Sequence, residues 1–91
     1  MKFHLFCYIN KKSVEEAKQI ATRCHAKIIN DNLEIVSKEI FSNKKFNVLD
    51  NFDFVSMEFV LENMFDLNKF CYQLYMSCGY HFFIENIISL S

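Results

Sequence analysis

The sequence predicts an α+β domain with the element order β-α-β-β-α-β, in which two helices cover one face of a four-stranded antiparallel sheet. Two segments repeat apolar residues at helical spacing, and segments rich in β-branched and aromatic residues flank them. The hydrophobic fraction is 52%, with 11 Phe and 4 Tyr, so there is ample apolar surface for a core. A length of 91 residues predicts one domain over 1–91.

The first predicted elements are a central strand and an amphipathic helix. Residues 2–9 carry apolar side chains at both parities, which is typical of a strand buried on both faces. Ser13-Val14-Glu15-Glu16 matches a capping box, in which Ser13 and Glu16 satisfy free amides at the helix start. Apolar residues then follow at helical spacing, namely Val14, Ala17, Ile20, Ala21 and Cys24. The pattern predicts a helix over about 13–26.

The middle of the chain allows more than one interpretation. Asn30-Asp31-Asn32 is a turn signal, so residues 27–36 read as a short hairpin or as one strand interrupted by a bulge. A Glu34–Lys38 pair within residues 33–41 would also suit a helix. The β-branched content favours a strand, which would be a fifth strand of the sheet. A polar loop over 42–51 and a strand over 52–61 follow.

The last predicted elements are a helix capped by Asp66 and a strand over 80–88. Gly79 lies where the helix needs a left-handed residue at its end. Strict alternation places Phe82, Ile84 and Ile88 on one face of the last strand. The whole order is the ferredoxin-like arrangement of two split βαβ units, with the first and third strands central and both helices on the same face. That fold serves many unrelated functions and implies no activity.

Charge and composition exclude several classes of function. Eleven acidic residues nearly balance ten basic ones, and the net charge of -1 argues against a dedicated nucleic-acid binder. A single glycine, Gly79, excludes glycine-rich phosphate loops. The longest uncharged run, 70–84, contains polar residues and is no membrane span. Without a recognisable leader the chain is expected in the cytoplasm, with free thiols at Cys7, Cys24, Cys71 and Cys78.

Three His/Cys pairs resemble ligand or catalytic pairs, but their spacing does not favour either role. They are His4-x-x-Cys7, Cys24-His25 and Cys78-x-x-His81. Residues three apart on a strand point to opposite faces, and adjacent helical residues point about 100° apart. No thiol has a basic cluster beside it that would lower its pKa. We therefore expect no metal, no cofactor and no catalytic residue.

The sheet face away from the helices is the strongest candidate for function. Alternation places there the side chains of His4, Phe6, Tyr8, Phe52, Phe54, Ser56, Glu58, His81, Phe83 and Glu85. So many aromatic rings on a nominally exposed face indicate a binding surface or a face covered by the 42–51 loop or the chain end. RNA-binding sheets also present aromatic residues, but Glu58 and Glu85 argue against a polyanion.

These observations predict a small non-enzymatic protein that binds another protein, or itself as a homodimer packed sheet to sheet. Lys far exceeds Arg, and Asn, Ile and Phe are abundant, which indicates an AT-rich coding sequence. That composition associates the chain with phage or mobile-element inhibitors of host defence and with toxin-immunity proteins. The alternative is a homodimeric ferredoxin-like domain that binds a small ligand or regulates another domain.

Overall fold

The sheet of this protein has four antiparallel strands in the order β2-β3-β1-β4. The computed structural model describes residues 1–30, 32–37 and 53–90, without the side chain of Tyr80. Its elements are β1 (Lys2–Asn10), α1 (Val14–Arg23), β2 (Lys27–Asn30), β3 (Phe54–Leu61), α2 (Met64–Cys78) and β4 (Phe82–Leu90). The prediction of an α+β fold with two helices and central first and third strands is confirmed, and the arrangement is compatible with a ferredoxin-like fold.

The main core lies between the sheet and the two helices. Odd-numbered side chains of β1 and β3 point toward the helices, as strand alternation requires. On the helix side, the apolar stripes predicted from the sequence supply the other half of this core. Its members are Phe3, Leu5, Cys7, Ile9, Val14, Ala17, Ile20, Ala21, Cys24, Val55, Met57, Phe59, Leu61, Leu67, Phe70, Leu74 and Cys78.

The predicted capping bonds form at neither helix. Ser13 is the residue before α1, as predicted, but its side chain makes no capping bond. A 3-10 turn over Lys11–Ser13 leads into the helix, and Asn10 Oδ1 accepts from the N–H of Lys12 at 3.0 Å. The cap of α2 is Asn63 instead of Asp66. Asn63 Oδ1 accepts from the Asp66 N–H at 2.8 Å, and its Nδ2 donates to the Asp66 carboxylate at 3.2 Å. This reciprocal pair starts the helix two residues before Asp66.

The helix ends use residues with positive φ. Gly79 has a φ of +51° after α2, which confirms its predicted position. The first helix ends at Arg23 because His25 adopts a φ of +58°. Ala26 donates to the Ala21 carbonyl at 2.8 Å and His25 donates to that of Thr22 at 3.5 Å. These two bonds are the Schellman pattern, with histidine where glycine is usual.

Residues 27–37 lie alongside β3 as an interrupted strand, which was one of the predicted alternatives. Strand β2 pairs with β3, and after the turn Ile35 forms an isolated antiparallel bridge to Val55. Asn30 and Asn32 side chains accept backbone N–H bonds two residues ahead, which stabilises the interruption. The remainder of the 33–41 segment, the 42–51 loop and Phe52 lie outside the described residues.

A β-bulge divides β4 into two halves of opposite alternation. Cys7 pairs with Ile84 but Phe6 pairs with Asn86, so Glu85 is the extra residue. Beyond it, Ile87 pairs with Leu5 on the helix side, whereas Ile88 pairs with His4 on the other side. The prediction that Ile88 shares a face with Ile84 is therefore wrong, because the bulge reverses the parity.

Candidate functional site

The face of the sheet away from the helices, called here the open face, is covered by no helix of the described residues. Even-numbered positions of the two central strands supply most of it, and the two halves of β4 supply the rest. The members that β1, β3 and β4 supply, apart from the strand-end residues Lys2, Asn10 and Leu90, are His4, Phe6, Tyr8, Phe54, Ser56, Glu58, Val60, Phe83, Asn86 and Ile88. Six of the ten were predicted from alternation as partner-binding residues, and Ser56 was placed on the same face.

Aromatic rings run in a row along this face. The His4 and Phe6 rings stack with centroids 4.0 Å apart and planes 17° apart. Farther along the sheet, the Tyr8 and Phe83 rings lie 5.1 Å apart. All four side chains are half-buried, so each presents part of its ring at the surface. Partly exposed aromatic groups in contact with one another offer a rigid apolar surface at small entropic cost.

Phe54 differs from the rest of the row because it is only 1% exposed. It packs with Tyr8, Val36 and Phe83, a group called here the Phe54 cluster. Its ring meets that of Phe83 edge-on at 5.7 Å. The Val36 N–H donates to the Phe54 carbonyl at 2.8 Å, which holds the segment 32–37 against this end of the open face. Phe54 was predicted as a surface residue, and the structure places it under this segment.

A polar network anchors the opposite end of the row. His4 Nε2 donates to Glu58 Oε1 at 3.0 Å, and Asn30 Nδ2 donates to Glu58 Oε2. Both carboxylate oxygens of Glu58 therefore have partners, which offsets the cost of its partial burial. The network also fixes the His4 ring that stacks on Phe6. Glu58 is thus held as a fixed acidic group at the centre of the sheet.

The open face is less uniformly acidic than predicted, because two lysines share its parity at the rim. Lys2 begins β1 and lies 3.8 Å from Glu62, and Lys27 pairs with Val60. Both lysines are exposed. They lie toward the His4 end, away from Phe83. A mostly aromatic centre that contains one hydrogen-bonded carboxylate, with further charges at the rim, resembles the anatomy of a protein interface.

Two predicted site residues lie beside the face instead of on it. His81 belongs to a 3-10 turn before β4, and its Nδ1 accepts from Asn10 Nδ2 at 3.1 Å. Asn10 is 2% exposed and also binds the N–H of Lys12, so it connects two turns. Glu85 is the exposed bulge residue of β4. Phe52 lies outside the described residues.

The bulge creates a cleft of about 210 Å³ between β1 and β4. Phe6 and Tyr8 form one wall, and Ile88 and Asn86 form the other. Glu85 and Ser56 add polar groups at the rim. Asn86 and Ile88 were missed as site residues because strict alternation assigns Ile88 to the other face. An out-of-phase Glu-Asn pair within an apolar strand was the available signal of a bulge.

The thiols are unpaired and unsuited to nucleophilic chemistry. No disulfide joins Cys7, Cys24, Cys71 and Cys78, all of which are described. Burial raises the pKa of each thiol above its ordinary value, most strongly that of Cys7, where Cys71 raises it further. A raised pKa keeps a thiol protonated at neutral pH, whereas the nucleophile is the thiolate.

The outward side of α2 carries exposed apolar residues that the sequence interpretation left unassigned. They are Met64, Phe65, Tyr72, Tyr75 and Met76. Each falls outside the buried stripe of the helix, so the signal was present in the helical periodicity.

No group of three or more His, Cys, Asp or Glu within residues 1–30, 32–37 and 53–90 is arranged to hold a metal ion. None of the helices in this part of the protein has both the length and the apolarity needed to cross a membrane. No protein-family model matches the sequence, and no curated protein matches it at a significant level.

Proposed function

We propose that this protein is a small non-enzymatic module that binds another protein through its open face. The observation that supports this proposal is the row of half-buried rings formed by His4, Phe6, Tyr8 and Phe83. Aromatic side chains in a weakly charged centre, with charged residues at the rim, are typical of protein interfaces. We also infer a ferredoxin-like topology, in which this is the face that the helices leave free.

The charges favour a protein over a nucleic acid as the partner. Single-strand binders combine stacking rings with a positive groove. Here Glu58 is fixed at the centre of the row, beside Phe6, and Glu85 stands at the edge of the cleft. Phosphate groups near the rings would meet these carboxylates.

The cleft favours a protein side chain over a small-molecule ligand. Pockets for small molecules usually measure about 300–1,000 Å³. The cleft of about 210 Å³ is smaller and opens between two strands. It is of a size to accept one apolar side chain of a partner, with Phe6 and Ile88 as its walls.

A non-enzymatic, inhibitory role in the cytoplasm is the form of this function that we propose. The raised thiol pKa values support the first part, since no thiol is activated as a nucleophile. The unpaired thiols fit a reducing compartment. The composition associates the chain with inhibitors from phages or mobile elements and with immunity proteins. Such a protein acts by covering a functional surface of its target.

The test compares Phe6→Lys with Phe65→Lys, a matched change at an exposed position of α2. Glu58 lies directly opposite Phe6, so a lysine there gains a cross-strand partner and the fold is preserved. Proteins that the wild type captures from cells of the source organism are identified, and their binding is measured by titration calorimetry with purified partner. We expect Phe6→Lys to reduce affinity at least tenfold and Phe65→Lys to leave it unchanged. Equal affinity for wild type and folded Phe6→Lys would refute the assignment of the open face.

A further inference from the structure

The two edges of the sheet are protected very differently. On one side, β2 has four residues and includes Lys27, and the Ile35 bridge continues its pairing along β3. On the other side, β4 has nine residues and pairs only with β1 among the described strands. A long edge strand presents a row of unpaired N–H and C=O groups, which is a template for pairing with another strand.

The second half of β4 lacks the usual protection of an edge. Charged side chains, proline and bulges normally keep edge strands from pairing. The bulge lies at Glu85, the one ionisable residue in Phe82–Leu90, and the residues beyond it are uncharged. Ile87 and Ile88 are each 41% exposed, on opposite faces of the sheet. The edge is therefore uncharged from Asn86 to Leu90 and exposes one isoleucine on each face of the sheet.

One hydrogen bond identifies which backbone groups point outward. The N–H of Ile87 donates to its neighbour Asn86 Oδ1 at 2.9 Å in an exposed bond. An N–H engaged in this way points away from β1. By alternation, the N–H of Ser89 points outward as well. The edge thus has an outward donor at Ser89 and a second at Ile87, which an added strand would engage in place of Asn86 Oδ1.

One flank of helix α2 places an exposed aromatic residue, Tyr75, beside this edge. Gln73 accepts from Arg23 of α1 at 3.4 Å, which marks the flank of α2 that faces α1. Tyr75 follows two positions later, about 200° around the helix, and so lies on the opposite flank. That flank lies toward β4, because α1 contacts β2 at one edge of the sheet and α2 contacts β4 at the other edge. The Tyr75 side chain is 67% exposed.

We propose that a second copy of this chain pairs antiparallel with the edge of β4, which joins two sheets into one of eight strands. In a two-fold pairing, residues opposite each other point to the same face of the sheet, so their numbers are both odd or both even and the axis passes beside one residue. With the axis at Ile87, Ile87 lies opposite Ile87 of the second copy. With the axis at Ile88, Ile87 lies opposite Ser89 of the second copy.

Charge makes a second copy a suitable occupant of the edge. With either position of the axis, Glu85 is not opposite Glu85 of the second copy, so no like charges meet. The pairing matches apolar with uncharged residues on both faces. In this pairing the helices of both copies lie on the same face of the joined sheet. The Tyr75 flank of α2 in one copy then lies near α2 of the second copy and extends the contact beyond the strands. The open face stays free, so this dimer is independent of the proposed target interface.

The test is the mass of the full chain by size-exclusion chromatography with light scattering, at about 1 μM to about 100 μM. We expect wild type to be a dimer at the higher concentration. Ile87→Lys and Tyr75→Glu should each yield a folded monomer there, as checked by circular dichroism. The controls are Ile29→Lys at the β2 edge and Phe65→Lys on the outer side of α2, and both should remain dimeric.

Several outcomes would overturn the edge pairing. A monomeric wild type at the highest concentration would do so, as would a dimer that persists in folded Tyr75→Glu and Ile87→Lys. If Ile87→Lys does not fold, Tyr75→Glu decides alone. A dimer that dissociates with Phe6→Lys but not with the β4 and α2 variants would place the contact on the open face. That result contradicts edge pairing without refuting the proposed binding face.

Discussion

Replacing Phe54 by alanine tests whether the open face contains a small core of its own. The ring is 1% exposed within the Phe54 cluster and lies 5.7 Å from the Phe83 ring. Phe→Ala changes at enclosed positions cost about 3–5 kcal/mol of unfolding free energy. The cluster is small, so we expect about 3 kcal/mol, of which the edge-on pair with Phe83 contributes about 1 kcal/mol.

The comparison is Phe6→Ala on the same face. Phe6 is half-buried, so the change removes about half of the burial free energy of a phenylalanine, about 1 kcal/mol. Urea unfolding followed by circular dichroism gives both values from the transition midpoints if the slopes agree. For a domain of this size, the expected difference of about 2 kcal/mol separates the two melting temperatures by roughly 8–16 °C.

A double-mutant cycle of Phe54→Ala with Phe83→Ala measures the ring pair itself. Coupling of about 0.5–1.5 kcal/mol is expected if the rings are in contact. Equal costs for Phe54→Ala and Phe6→Ala, both near 1 kcal/mol, would refute the enclosure of Phe54 by the segment 32–37. Zero coupling would refute the ring contact.

Three further changes test the turns and the buried thiols. His25→Gly should raise the unfolding free energy by about 0.5–1 kcal/mol in urea unfolding, because glycine removes the cost of the positive φ; a loss of stability would contradict this. Asn10→Ala should cost about 1–3 kcal/mol, since His81 Nδ1 and the Lys12 N–H lose their partner; a cost below that range would show that water replaces the amide. The unfolding free energy should fall as pH rises above about 8.5, by up to about 1.4 kcal/mol per pH unit for each thiol. The reason is that burial raises the pKa of the thiols in the folded state, so that only the unfolded chain loses their protons in this range. Thermal melts of Cys7→Ala should show a shallower loss than wild type, and identical slopes would refute the contribution of Cys7.

Strand parity and helical stripes were predictable because burial enforces them. A shift of one residue in β1 or β3 would expose every core side chain of that strand, so the pattern of large residues determines which face is buried. The stripe of Leu67, Phe70 and Leu74 fixes the inner side of α2 in the same way. The aromatic row on the open face follows from this alternation without further information.

The element ends were not predictable from the same pattern, because several residues competed for each position. Ser13 and Asp66 are both good caps, yet Ser13 makes no capping bond after the turn that Asn10 caps, and Asn63 accepts from the Asp66 N–H. The end of α1 depends on His25 adopting a positive φ, a conformation in which glycine is the usual residue after a helix. Residue preferences at helix ends predict which residue types cap a helix, but they do not determine which of several suitable neighbouring residues does so.

The bulge at Glu85 determines what the two proposed surfaces can do separately. Without it, Ile88 would face the helices, the cleft beside Phe6 would lose a wall, and Ile87 would join the open face. With it, Ile88 lies on the open face while Ile87 lies on the helix side of the β4 edge. Under the two proposals, this one inserted residue lets β4 contribute to a target interface on the open face and to pairing with a second copy along its edge. Because Phe6 and Tyr75 belong to different surfaces, Phe6→Lys should weaken target binding at least tenfold and leave the dimer intact, whereas Tyr75→Glu should dissociate the dimer and leave target binding intact.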